Sequence, residues 1–134
     1  DEGLVGHVIS TTNNTAKIQT IIDSASATSC LASSTRDTMI CKGTIENKPQ
    51  LSASNIATDA RIIQGDRVET SGLGGIYVKG IHVGKIKKVN AGSNKTDSYA
   101  TIETAVDFEF FLAASTIFKH VFLLFVFSLC LCIG

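Results

Sequence analysis

Three residue types that together can attack an acyl bond occur in this chain in the order histidine, aspartate, serine. His7 stands first, Asp23 or Asp37 follows, and Ser71 lies in the stretch T-S-G-L-G-G. In serine hydrolases the histidine accepts the serine proton and the aspartate orients the histidine. Order alone indicates little here, because serine, threonine and aspartate are abundant. A nucleophile in such a stretch normally follows an aspartate and a glycine, whereas Ser71 follows Thr70, so we predict no catalytic set.

The spacing of the glycine, cysteine and histidine residues argues against a cofactor site or a metal site. The run Gly72-Leu73-Gly74-Gly75 has no third glycine where a dinucleotide fingerprint needs it, and no G-K-(S/T) follows it. The cysteines form no C-x-x-C pair and no cluster with histidine at zinc spacing. We predict no cofactor and no metal. Cys30 and Cys41 could pair in an oxidising compartment, but two buried free thiols are the favoured interpretation.

Charge and length narrow the function classes further. The 134 residues carry 12 basic and 12 acidic side chains, and this balance argues against general binding of nucleic acid. The one dense basic cluster is Lys85, Lys87 and Lys88, which we interpret as a solvated strand edge. His82 flanks apolar residues at strand spacing, so a surface strand position is expected for it. A chain of this length allows one compact domain or two very small ones.

The stretch from Gly65 to Gly84 organises the chain, because glycine recurs there among aliphatic residues. This pattern predicts short strands joined by tight turns, with a turn at Gly74-Gly75. The aliphatic alternation changes phase at Gly84, which predicts a bulge. Asp66 is expected to cap a turn by accepting backbone amides. The residues singled out are Gly65, Asp66, Thr70, Ser71, Gly72, Leu73, Gly74, Gly75, Gly80 and Gly84.

The same stretch closely resembles the most typical part of a known family. The pattern G-D-x-V-x-T-S-G-L-G-G-I-x-x-K-G-x-x-V-G-K-I is similar to that of the bacterial rod shape-determining protein MreC. Arg36 matches the first arginine of the family's Arg-x-Arg-Gly element, but Thr38 stands near its glycine. The resemblance implies two small β-barrels outside the cytoplasmic membrane.

An internal duplication is visible as well. Val83-Gly84-Lys85-Ile86 repeats Val5-Gly6-His7-Val8, and the later segment 102–107 repeats the pattern I-x-T-x-(I/V)-D of segment 18–23. Two copies of one hairpin indicate two similar lobes. We therefore predict an all-β fold of two small barrels with tight glycine turns. The lobes are expected at 3–62 and 63–112, either consecutive or interleaved, with an apolar tail over 113–134.

The tail differs in composition from everything before it. All seven phenylalanines lie from Phe108 onward, and the run from Val121 to Ile133 is apolar except for Ser128. Thirteen residues are fewer than the ~20 that span a bilayer. Three interpretations stay open: a membrane segment, a tail packed on the barrels, or residues appended by a frameshift or gene-end error, which we favour. Phe110, Phe111 and Leu112 are expected to complete a closing strand.

The function predicted from the resemblance is a non-enzymatic scaffold of the cell-elongation machinery, acting in rod shape and side-wall peptidoglycan synthesis. Its implied partners are further copies of itself, a penicillin-binding transpeptidase and membrane components of that machinery. Its implied location is the extracytoplasmic face of the cytoplasmic membrane, with an N-terminal anchoring helix outside this chain. The alternative from another class is a chymotrypsin-like double-barrel serine hydrolase, active or degenerate, which requires His7 and Ser71 to lie within hydrogen-bonding reach.

Overall fold

The computed structural model describes residues 2–44, 48–91 and 98–109. Within these ranges the regular structure is β-sheet, as the alternation of aliphatic and polar residues predicted. The strands are β1 (Gly6–Thr11), β2 (Ala16–Thr20), β3 (Ala27–Ala32), β4 (Thr38–Thr44), β5 (Gln50–Ser54), β6 (Arg67–Thr70), β7 (His82–Asn90) and β8 (Tyr99–Thr104).

Six of these strands close into an antiparallel barrel in the order β3-β4-β5-β8-β7-β6, with β6 returning to pair with β3. Alternate side chains point inward, as β4 shows by burying Met39 and Cys41 while exposing Ile40 and Lys42. Many inward positions hold small residues, such as Ala53 and the cysteine on β4. A six-stranded barrel has a narrow interior, which small side chains can fill without strain.

The two repeated segments form hairpins of matching register. In β1–β2, Gly6 faces Thr20, and in β7–β8, Gly84 faces Thr104. Both ladders then shift register two residues beyond the glycine. A Cβ on either glycine would overlap the carbonyl oxygen of Gln19 in the first hairpin or of Glu103 in the second. The repeated glycine is therefore required by the close approach of the partner strand.

The phase change at Gly84 also has the predicted cause. Val68 pairs with Gly84 and Glu69 pairs with His82, so Val83 is the extra residue of a bulge on β7. Val83 and Ile86 both lie in the core as a result. A regular strand would place these two residues on opposite faces, because their spacing is odd.

The first hairpin packs on the barrel and shares its core. The Leu4 amide donates to the His82 carbonyl at 2.9 Å, which joins the start of β1 to the start of β7. After β2 ends, Ile21 and Ile22 turn inward and become buried. The backbone of Ile22 lies so close to Gly43 that no Cβ fits there. One cluster of buried residues therefore spans hairpin and barrel.

Several details differ from the sequence predictions. The lysines at 85, 87 and 88 are exposed; Lys85 lies between β6 and β8, whereas β7 extends past the end of β6 at Lys87 and Lys88. The barrel takes strands from both sides of residue 62. The patterns above did not indicate strand β5. Phe108 is buried in the core, while the predicted closing strand at 110–112 and the tail lie outside the described residues.

Candidate interaction site on the glycine loop

Most of the residues singled out between Gly65 and Gly84 lie in one long connection, Ser71–Ile81, which we call the glycine loop. It joins the end of β6 to the start of β7. Gly74 and Gly75 have φ angles of 89° and 72°, which confirms the predicted left-handed backbone. The turn at Gly74-Gly75 lies inside a longer loop and does not join two strands directly, because the next strand begins at His82.

A buried threonine anchors both sides of the loop. Thr70 is the last residue of β6 and has no exposed surface. Its hydroxyl donates to the Val78 carbonyl at 2.6 Å and accepts from the Ile81 amide at 2.9 Å. The Thr70 carbonyl also accepts from the Gly80 amide at 2.9 Å. One side chain thus holds the returning half of the loop against the end of its own strand.

Ser71 anchors the outgoing half to a neighbouring strand. Its hydroxyl lies 3.1 Å from the Ser29 carbonyl and 2.8 Å from the Ser29 hydroxyl on β3. It also accepts a hydrogen bond from the Leu73 amide at 3.2 Å. Ser71, the nucleophile of the hydrolase alternative, therefore links the glycine loop to β3.

A third anchor reaches the first hairpin. The Tyr77 hydroxyl and His7 Nδ1 lie 2.9 Å apart, and the two rings meet edge to face at 5.5 Å. Burial raises the pKa of Tyr77 to about 12, with the neighbouring Thr28 hydroxyl opposing part of the rise. Tyr77 therefore stays protonated and can donate to His7 at neutral pH. The loop is thus tied to three separate parts of the fold.

The anchored loop holds aliphatic side chains out in solvent. Leu73, Ile76 and Val78 are 65%, 55% and 65% exposed. Beneath the first two lies a groove of about 200 Å³, whose floor is Ala27–Ser29 and whose side is Ile40. Contiguous exposed apolar surface on a soluble domain is typical of interaction sites.

The hydrolase set is not assembled by these contacts. Ser71 bonds to Ser29 and His7 to Tyr77, and no hydrogen bond joins His7 to Ser71 among the described residues. Asp23 instead accepts the Ala25 amide at 2.9 Å. The Asp37 amide donates to the Thr35 hydroxyl at 3.4 Å, and the Asp37 carboxylate accepts the Arg61 amide at 3.0 Å. The Thr35 hydroxyl and that amide lower the pKa of the Asp37 carboxyl.

Other residues singled out in the sequence lie in turns or at the start of a strand. Asp66 accepts the Ile63 amide at 3.0 Å, which confirms the predicted turn cap. Gly65 lies in the same turn, just before Asp66, and has a φ of 93°. His82 is partly exposed at the start of β7, but its Nδ1 is buried without a hydrogen-bond partner among the described residues. Burial, followed by the charges of Arg67 and Lys85, lowers the pKa of His82.

The two cysteines of the barrel are free and buried, as expected. The Cys30 thiol and burial raise the pKa of the Cys41 thiol, so Cys41 remains protonated and unreactive at neutral pH. Within the described ranges, no three histidine, cysteine or acidic side chains come together in a way that could hold a metal ion. The same part of the chain contains no helix with the length and apolar character needed to cross a membrane.

Comparison with known proteins identifies the fold. The family model described as "Rod shape-determining protein MreC, barrel core" matches residues 1–111. This chain belongs to the MreC family. A comparison with curated proteins found no match. The barrel, the paired hairpins and the glycine loop described above are therefore features of an MreC barrel core.

Solved MreC structures resemble the chain closely. The MreC of Listeria monocytogenes is 27% identical with a TM-score of 0.71, covering 78% of this chain and 51% of that one. A structure described as the major periplasmic domain of the cell shape-determining filament MreC is 25% identical with a TM-score of 0.66, covering 78% and 65%. A complex of penicillin-binding protein PBP2 and MreC from Helicobacter pylori is 22% identical with a TM-score of 0.63, covering 76% and 62%, which shows the fold alone. The chain thus spans less than two thirds of these proteins.

Proposed function

We propose that this chain is the extracytoplasmic barrel part of a non-enzymatic scaffold that maintains rod shape and supports side-wall peptidoglycan synthesis. The observation that carries the proposal is the MreC family match over residues 1–111, together with the closed barrel. The partner proposed for it is a penicillin-binding transpeptidase, because a related fold is described in complex with PBP2. Further copies of the chain are proposed as a second partner, because a relative is described as a filament.

The arrangement of polar side chains supports a binding role over catalysis. Ser71 and His7 are both engaged in contacts that hold the glycine loop. A scaffold acts through exposed surface, and the loop supplies such surface on a rigid support. The proposed location at the outer face of the cytoplasmic membrane agrees with the relative described as a periplasmic domain.

Complementation tests the scaffold proposal. The gene encoding this chain is expressed in a rod-shaped bacterium depleted of its own MreC, and cell shape is followed by microscopy. We expect rods to be restored when the protein accumulates to the level of the native MreC. Spherical cells at that level would contradict the proposal. A fluorophosphonate probe that labels Ser71 specifically would instead favour the hydrolase.

A further inference from the structure

The groove beneath the glycine loop has the size and the walls of a side-chain receptor. Its volume of about 200 Å³ is smaller than the roughly 300–1,000 Å³ of pockets that hold small-molecule ligands. Its walls are mainly aliphatic and aromatic, from Ile40 on β4 and Leu73, Ile76 and Tyr77 on the loop. A groove of this kind fits one or two aliphatic side chains of a peptide.

The loop that forms one wall is held in place before any partner arrives. Thr70, Ser71 and Tyr77 bond it to β6, β3 and β1 respectively. Binding to a rigid surface loses less conformational entropy than binding to a mobile one. The exposed aliphatic side chains of Leu73 and Ile76 are thus presented in a fixed arrangement, although each would be more stable in contact with another apolar surface.

Two lysines lie on the segments that form the groove. Lys42 pairs with Ala27 across β3 and β4, so it stands at the end of the groove floor. The backbone of Lys79 lies against Gly72 at the base of the loop, with its Cβ 3.1 Å from the position of a Cβ on that glycine. Both lysines are exposed, and neither forms an ion pair with another described residue. An occupant with carboxylates on both sides of its apolar part would complement this pair of charges.

We propose that the groove binds an extended segment of a protein partner that carries aliphatic side chains between carboxylates. The apolar side chains enter between Ile40 and Leu73, and the carboxylates face Lys42 and Lys79. This inference rests on the proposed function, because a scaffold is the role that requires such a partner. It adds where the partner binds and what chemistry the partner presents.

Peptide titration tests the groove directly. The ¹⁵N-labelled 134-residue chain is titrated with acetyl-EELIEE-amide, and with acetyl-KKLIKK-amide and acetyl-EESSEE-amide as controls, and amide shifts are recorded. We expect the first peptide to bind at least about tenfold more tightly than either control. The largest shifts are expected at Ala27, Ser29, Ile40 and Leu73. Equal binding of a control peptide, or shifts confined to other parts of the chain, would overturn the proposal.

Matched variants test which side chains bind. Leu73→Ser should weaken binding of acetyl-EELIEE-amide about tenfold, because it removes an aliphatic contact. Ile63→Ser is the control, since Ile63 is 66% exposed but lies in the turn before β6 and lines no part of the groove. The double variant Lys42→Glu and Lys79→Glu should reverse the preference between the acidic and basic peptides. Unchanged binding in either groove variant would contradict the assignment.

The two proposals can fail separately. If the gene restores rods while the peptide does not bind, the scaffold function stands and the groove is not its docking site. If the peptide binds while the gene leaves cells spherical, the groove stands and the scaffold function fails. Concentration-dependent amide shifts at Leu73 without peptide would identify a second copy of the chain as the occupant and overturn the proposed partner.

Discussion

The two buried threonines of this barrel should respond in opposite ways to the same substitution. Thr70→Val removes a hydroxyl that makes two hydrogen bonds, to the Val78 carbonyl and the Ile81 amide. Thr28→Val removes a hydroxyl that is also buried and lies near the Tyr77 hydroxyl, but that makes no hydrogen bond of normal geometry in the described structure. Valine keeps nearly the same shape in both cases, so the comparison isolates the hydrogen bonds.

The magnitudes follow from the surroundings of each hydroxyl. A net hydrogen bond is worth about 0.5–1.5 kcal/mol, and an amide left unsatisfied in a partly buried site costs about 1–3 kcal/mol. We therefore expect Thr70→Val to lower the free energy of unfolding by about 2–3 kcal/mol. Thr28→Val should change it by less than about 0.5 kcal/mol, or raise it, because a desolvated hydroxyl is replaced by a methyl group.

Urea unfolding followed by far-ultraviolet circular dichroism measures both values. For a domain of about 100 residues the Thr70 variant should also melt about 8–12 °C lower. Amide exchange at Gly80 and Ile81 should become faster in that variant, because the loop has lost its anchor. Equal losses of stability in the two variants would show that packing, rather than the two hydrogen bonds, determines the contribution of Thr70, and would refute the reasoning.

Three further outcomes are expected. Gly84→Ala should lower the free energy of unfolding in urea by about 3 kcal/mol or more, because its Cβ would overlap the Glu103 carbonyl. Gly74→Val has open space around it and should lower that free energy by more than ~1 kcal/mol through its positive φ alone; equal losses in the two variants would contradict this. The pKa of Tyr77 is about 12 when folded and about 10 when unfolded, so its contribution is present below pH 10 and is lost as pH rises toward 12; a Tyr77→Phe variant should lack that loss in melting experiments. Truncation after Ser115 should leave the β-type circular dichroism unchanged and raise solubility; a truncated chain that does not fold would place the tail in the core.

Local patterns were sufficient for much of the fold. The alternation of apolar residues predicted short strands, and the repeated Gly-x-(V/I) segments predicted two equivalent hairpins. The phase change at Gly84 predicted the bulge, and Asp66 was recognisable as a turn cap. These features depend on a few neighbouring residues, so the chain order contains the information needed to find them.

The contacts of the glycine loop could not be predicted from such local patterns. Nothing adjacent to Ser71 in the chain indicates Ser29 as its partner, and His7 and Tyr77 are 70 positions apart. The exposed cluster around the groove was missed for the same reason, since Leu73 and Ile40 come from separate segments. A dense run of glycines with aliphatic residues was the one signal that marked the region.

The amino-acid sequence by itself determined the all-β class, the family and the positions where glycine is required. These follow from backbone sterics and side-chain periodicity, which act over a few residues. Only the tertiary structure decided that strands from both sides of residue 62 close one barrel. Closure also placed the first part of β7 between β6 and β8 and buried His82 Nδ1. Pairing between distant strands depends on the shape of the whole core, and no local pattern contains that shape.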